Sequence, residues 1–294
     1  MKCEYPYVSR DKTPFGCGQC MVCRINQRRV WTARLCLEDQ VNGPGLFVTL
    51  TYDDDHCPGT LRKDHVQKYF RALRKKGYTF RYFCVGEYGE QTGRPHYHLL
   101  LFRTCDERYH DWKSGFKEDI SKLWKFGFTL IGDVSRFSAA YCAGYVTKKA
   151  QKESDPDRPE WILTSRSPAL GVPAVPFIAE SLMKYDFFNQ HHNDVPTAVS
   201  VGGRILPLGR RIRHELRSYL EEHYGVICDK DEGIRNLRQE TEAFFVRWEA
   251  DEAAKGNKRY IYGFDRFSIA LSERESRSRK SALASVGLDG RRSL

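Results

Sequence analysis

No stretch of this 294-residue chain approaches the roughly 18 consecutive apolar residues that a membrane helix needs, so a spanning helix of that kind is excluded. The opening MKCEYPYVSRDKTPFG carries no apolar run of the signal-peptide type, and secretion is not expected. Ten cysteines are too sparse for a small disulfide scaffold; in an unsecreted chain they read as reduced thiols or metal ligands. There is no Gly-x4-Gly-Lys-Ser/Thr loop to cradle nucleotide phosphates, so an attached helicase is not expected. Internal repeats and coiled-coil heptads are also missing. Acidic residues are the minority: 38 Asp+Glu stand against 48 Lys+Arg, a formal charge of +10. That balance makes a polyanion the leading partner.

What is present is globular text, 40% hydrophobic and 29% charged. Leu46 to Tyr52 follows the turn cluster Asn42-Gly43-Pro44-Gly45 and reads as a buried strand. Val66, Tyr69, Phe70 and Leu73 recur at i, i+3, i+4, i+7, which predicts an amphipathic helix stopped by Gly77. Tyr78 to Gly86 and His96 to Phe102 are β-rich runs across a polar loop, Gly89 to Pro95, and read as a hairpin. Phe116, Ile120, Leu123 and Trp124 mark a second helix, and Phe128 to Val134 another strand. The order β-α-β-β-α-β predicts an α+β fold with a ferredoxin-like antiparallel sheet. A further helix is expected from Ser138 to about Gln151.

The division expected is a Cys-rich, basic segment (1–45) packed on the core, the core itself (46–160), a partly helical C-terminal region (161–271) and a mobile basic tail (272–294). Within the third segment Pro168, Pro173 and Pro176 suggest a loop, whereas Arg210 to Tyr224 and Asp231 to Ala254 look helical.

Chemistry begins at Pro95-His96-Tyr97-His98. On a strand the side chains alternate, so His96 and His98 share one face and Tyr97 takes the other. A symmetric turn from Tyr88 to Pro95 sets Glu87 opposite His96 and Val85 opposite His98. Two imidazoles and one carboxylate on a common face leave positions open for substrate oxygens, as a catalytic divalent cation requires. The plainer alternative is a pair of satisfied, half-exposed histidines.

Tyr141, Tyr145 and Lys148 lie at i, i+4, i+7 and share one helical face. A phenol titrates near pH 10 and needs help to act as a nucleophile; a metal that polarises a phosphoryl oxygen, with a lysine beside it, would give that help. The same spacing also describes an aromatic stripe packed into a core.

Cys17, Cys20 and Cys23, with Cys3 upstream, offer closely spaced thiols for a structural Zn2+, although the spacing is not that of a standard finger; reduced thiols are the other reading. Arg24, Arg28 and Arg29 crowd the segment that follows, interleaved with Trp31. Contact with DNA phosphates and base stacking on the indole is one reading, a solvated helix face the other.

Taken in order, Phe47-Val48-Thr49-Leu50-Thr51-Tyr52, Gly86-Glu87-Tyr88-Gly89, Pro95-His96-Tyr97-His98 and Tyr141-x3-Tyr145-x2-Lys148 resemble the rolling-circle replication initiators of the HUH endonuclease superfamily. The Cys17-Gly18-Gln19-Cys20-x2-Cys23-Arg24 stretch is further similar to replication initiators of the gokushovirus branch of the microviruses. The resemblance covers residues 15 to 150. It implies His96, His98 and Glu87 as ligands of Mg2+ or Mn2+, Tyr141 and Tyr145 as alternating nucleophiles, and Lys148 as a cation beside the phosphate. Thr49, Thr51 and Tyr52 would be structural or DNA-facing. The implied reaction is transesterification at the origin of the viral replicative-form DNA, through a 5′-phosphotyrosine and a free 3′-OH, followed by rejoining of the circular single strand. The implied partners are single-stranded DNA and a host helicase and polymerase, with no membrane, in the bacterial host cytoplasm. An HUH relaxase or single-strand transposase is an alternative within the same chemistry. A basic DNA-binding protein without activity is the alternative outside it.

Overall fold

The computed structural model describes residues 3, 5–8, 14–104, 114–148, 159–189, 193–229 and the single positions 231, 235, 250 and 254. Apart from those single positions, the helix expected from Asp231 to Ala254 lies outside the described residues, as does the tail at 272–294. The chain divides into two compact units, one of residues 1–27, 187–195 and 227–294, the other of residues 28–186 and 196–226. In the first unit β1 (Tyr7–Val8) and β2 (Pro14–Phe15) form a short antiparallel ribbon. Helix α1 (Met21–Asn42) starts in that unit and continues into the second.

The second unit follows the predicted order. Strand β3 (Leu46–Thr51), helix α2 (Lys63–Lys75), the hairpin β4 (Phe80–Tyr88) and β5 (Pro95–Arg103), helix α3 (Ser114–Leu123), strand β6 (Thr129–Asp133) and helix α4 (Arg136–Lys148) succeed one another. A fifth strand, β7 (Trp161–Thr164), then pairs with β4, giving the antiparallel order β6-β3-β5-β4-β7. The first four strands have the ferredoxin-like arrangement.

Strand alternation explains the layers. Leu46, Val48 and Leu50 of β3, with Tyr97, Leu99 and Leu101 of β5, face one side and pack against Val66, Tyr69, Phe70 and Leu73 of α2 and Phe116 and Ile120 of α3. The opposite face carries Phe83 and Val85 of β4 and His98, Leu100 and Phe102 of β5, all buried. There α1 brings Trp31 to 5.3 Å from Phe83, measured between ring centroids, and α4 brings its tyrosines to His98. Because both faces are covered, β5 reads as a nearly continuous apolar run after its histidines. Glu38 of α1, fully buried, pairs with Arg81 of β4 and accepts the Gly171 N–H at 2.7 Å.

That last bond shows why the boundary expected at 160 is not where the packing ends: residues 161–186 and 196–226 belong to the same unit as the sheet. The loop expected around Pro168, Pro173 and Pro176 is also largely helical. A 3-10 turn at Val172–Ala174 leads into α5 (Val175–Lys184), and each helical stretch carries its proline in the first turn, where the missing N–H costs nothing. The strands β8 (Ala198–Val201) and β9 (Arg204–Pro207) form a hairpin before α6 (Gly209–Tyr224), which ends on Gly225 in the left-handed conformation (φ 66°). No helix among the described residues is long and apolar enough to cross a membrane.

Candidate metal centre and tyrosine pair

The hairpin register sets Glu87 opposite His96 and Val85 opposite His98, as the symmetric turn predicts. Both imidazoles therefore project from the same face of β5 towards a carboxylate on β4. His96 Nε2 lies 2.5 Å, and His98 Nε2 3.0 Å, from the single oxygen Glu87 Oε1. One donor atom from each residue falls within 4.8 Å of the others. Glu87 and His98 are both buried.

The outer nitrogens are held as well. His96 Nδ1–H donates to the Arg94 carbonyl oxygen (3.2 Å), which can only accept. His98 Nδ1 meets Thr49 Oγ1 at 3.0 Å, and Thr49 sits directly across the sheet from His98 on β3. A hydroxyl can donate or accept, so Thr49 supports His98 in either tautomer. Phe47, two residues earlier on the same face, stacks on the His98 ring at 5.7 Å and meets Tyr141 edge-on at 6.5 Å. No sequence motif assigned Phe47 a role, but the alternation of β3 puts it on the histidine face.

Electrostatics accord with a cation site. Burial opposes ionisation of Glu87, yet hydrogen bonds from His96, His98 and Tyr145 outweigh it and hold the carboxyl well below the usual carboxylate range. Burial likewise disfavours protonated His96, but its bonds to Glu87 and the Arg94 carbonyl raise its pKa overall. The proton on Nε2 that bridges to Glu87 must leave for the three ligand atoms to share a divalent cation. Two inward Nε2 atoms, a buried carboxylate and fixed outer nitrogens fit Mg2+ or Mn2+ with phosphate oxygens completing the shell.

Helix α4 places both phenols here. The Tyr141 hydroxyl donates to Glu87 Oε1 at 3.2 Å and lies 3.3 Å from His98 Nε2. The Tyr145 hydroxyl donates to Tyr141 at 2.8 Å. Tyr141 is 43% exposed and Tyr145 only 6%. Burial, reinforced by the Glu87 charge, pushes the Tyr141 pKa up to about 12, and burial raises Tyr145 further. Lys148 is the last residue of α4, and its side chain lies outside the described residues.

Of the basic segment, Arg28 Nε donates to the Ala140 carbonyl (2.9 Å), fastening α1 to α4 beneath the tyrosines, and Arg29 donates to the Ile205 carbonyl (3.0 Å). Trp31 packs on Phe83, with the Arg34 guanidinium 4.0 Å from its ring centroid. Arg24 is half-buried in the first turn of α1. Tyr52 is structural: its hydroxyl bonds to Tyr97 (2.8 Å) and His65 (2.9 Å) inside the core. Cys3, Cys17, Cys20 and Cys23 gather into one cluster in the first unit.

Residues 45–150, which carry every member of the histidine–tyrosine site, match the family model of the replication-associated protein ORF2. The chain is 34% identical over 166 residues to the Replication-associated protein ORF2 of Spiroplasma virus 4, covering 49% of this chain and 50% of that protein. It is 34% identical over 164 residues to the Replication-associated protein VP4 of Bdellovibrio phage phiMH2K (49% and 51%). To the Replication-associated protein ORF4 of Chlamydia phage 1 it is 26% identical over 162 residues (49% and 41%). The chain thus spans about half the length, or less, of the curated relatives it matches. No solved structure matches it. The segment that builds the site is the part of this chain that matches the replication-associated protein ORF2 family and resembles the replication-associated proteins of microvirus-type phages.

Proposed function

We propose that this chain initiates rolling-circle replication of a single-stranded DNA phage, nicking the origin of the replicative-form DNA and rejoining the circular single strand. The observation that carries the reading is the Tyr141 hydroxyl, seated 3.2 Å from Glu87 Oε1 and 3.3 Å from His98 Nε2. A phenol with its pKa raised is a poor nucleophile until positive charge is placed beside it. Mg2+ or Mn2+ held by Glu87, His96 and His98 would supply that charge and polarise a phosphoryl oxygen.

The residues themselves position the reaction. Tyr141 Oη attacks the phosphorus; an Oη–P bond forms as the P–O3′ bond breaks, the phenol loses a proton and the 3′-oxygen gains one. The 5′-phosphotyrosine conserves the ester, so rejoining needs no nucleotide. Tyr145 then cleaves the regenerated junction, and the released 3′-OH displaces the link at Tyr141. Tyr141 leads because its ring is open to solvent and its hydroxyl meets the ligand atoms, whereas the Tyr145 hydroxyl bonds to Tyr141 behind it. Lys148, one turn further along the tyrosine face, adds a cation on the phosphate side.

The scissile strand must be single-stranded or melted to reach a half-buried phenol. A host helicase and polymerase would therefore work with the protein, in the bacterial cytoplasm where phage DNA replicates. Arg28 and Arg29 each give one N–H to a carbonyl of this chain, and a guanidinium has further donors for a DNA phosphate. Arg24 would add a third contact. A base stacking on Trp31 would compete with Arg34.

The test uses circular single-stranded DNA carrying the origin, with Mn2+. A DNA adduct resistant to denaturant, mapped by mass spectrometry to Tyr141, is the expected result. An adduct of undiminished yield in the Tyr141→Phe/Tyr145→Phe double variant would overturn the assignment.

A further inference from the structure

The first unit holds a second group of convergent ligands that the nicking reading does not use. Cys3, Cys17, Cys20 and Cys23 direct their sulfurs to a common centre, all four within 4.8 Å of one another. Cys3 Sγ is 3.8 Å from Cys20 Sγ, and Cys17 Sγ is 4.0 Å from Cys23 Sγ. A disulfide would bring a pair to about 2.0 Å. A tetrahedral zinc with bonds of about 2.3 Å separates its thiolates by about 3.8 Å, the edge of the tetrahedron. The spacing Cys-x2-Cys-x2-Cys with a distant fourth cysteine also occurs around iron–sulfur cubanes, but a cubane spreads its thiolates to roughly 6 Å apart. The measured separations fit one ion and are too short for a cluster.

Backbone donors surround the sulfurs. Cys17 N–H points at Cys3 Sγ (3.2 Å), Gln19 and Cys20 N–H at Cys17 Sγ (3.4 and 3.3 Å), and Cys23 N–H at Cys20 Sγ (3.4 Å). Gly18 adopts the left-handed conformation (φ 75°), which turns the chain so that the two following amides face Cys17. N–H donors of this kind stabilise sulfur as thiolate, whereas four neutral thiols gain little from facing one another.

We propose that Cys3, Cys17, Cys20 and Cys23 bind one structural Zn2+, which ties the N-terminal segment to the first turn of α1. The site is independent of the nicking reading: its ligands are four thiolates, and its ion has no open position for substrate.

The full chain, purified without a polyhistidine tag under reducing conditions, decides the matter. A His96→Ala/His98→Ala variant removes the other candidate metal centre from the measurement. Elemental analysis of that variant is expected to give about one zinc per chain after dialysis, falling at least about tenfold when Cys20→Ser and Cys23→Ser are added. Replacing zinc with Co2+ is expected to give a thiolate-to-metal charge-transfer band in the near ultraviolet and intense d–d bands of tetrahedral coordination. The cobalt spectrum is read on the chain with its cysteines intact, so misfolding of the cysteine variant does not remove the test. Zinc far below stoichiometry after reconstitution, full zinc retained without Cys20 and Cys23, or bound iron with acid-labile sulfide would each overturn the proposal.

Discussion

Tyr141 and Tyr145 are chemically alike and separated by one helical turn, yet their surroundings differ. Tyr141 is 43% exposed and touches Glu87 and His98, whereas Tyr145 is buried behind it. Tyr141→Phe is expected to cut first-strand nicking by at least about 100-fold. Tyr145→Phe should preserve the first nick and lose circle closure, which a gel assay of linear against circular product separates. The reverse pattern would exchange the two assignments. Thr49 acts through His98, whose Nδ1 it meets at 3.0 Å. Thr49→Val should weaken Mn2+ binding about 10–100-fold, measured by titration of free Mn2+, with the thermal midpoint little changed. His96→Ala should eliminate cation-dependent nicking; full activity of that variant after chelation would remove the ion from the account.

Elements are held by contacts that the site does not share. Glu38 is fully buried on α1 and answers Arg81 of β4, Asn42 and the Gly171 amide, so one carboxylate fastens a helix, a strand and a loop. Removing it strands the Arg81 guanidinium, which is only 11% exposed, and Glu38→Ala is expected to cost about 3–5 kcal/mol in denaturant unfolding. A near-zero cost would show that Arg81 finds other partners. At this scale the hairpin was the most legible element, because strand alternation and turn symmetry together fix a register, and Glu87 meets His96 as expected. The strand β7 was not legible. Its four residues lack alternation of their own, and they pair with β4 only because an edge is available there. The helix α5 was hidden by its prolines, which signal a loop unless they fall in a first turn.

Across the whole chain the excess of 48 basic over 38 acidic residues favours association with a polyanion. Single-stranded DNA affinity should therefore fall steeply with salt, with a log–log slope near −0.7 for each phosphate contacted. Arg28→Ala and Arg29→Ala should each flatten that slope by roughly one contact if their remaining donors reach the DNA. An unchanged slope would confine both residues to holding Ala140 and Ile205. The expected division at residue 160 differs from the packing, since 161–186 and 196–226 complete the unit that contains the sheet. Composition near 160 changes to polar, proline-bearing text, but a polar connection need not separate two cores.

By itself the sequence determined the α+β strand order, the face shared by His96 and His98, and the face shared by Tyr141 and Tyr145. These follow from the periods of strand and helix, which are local properties of the backbone. Only the tertiary structure decided that the tyrosine face of α4 meets the histidine face of β5, that Phe47 and Thr49 brace His98, and that the four cysteines share one centre. Each of those depends on how distant segments pack, and no local repeat in the chain encodes a distance between them.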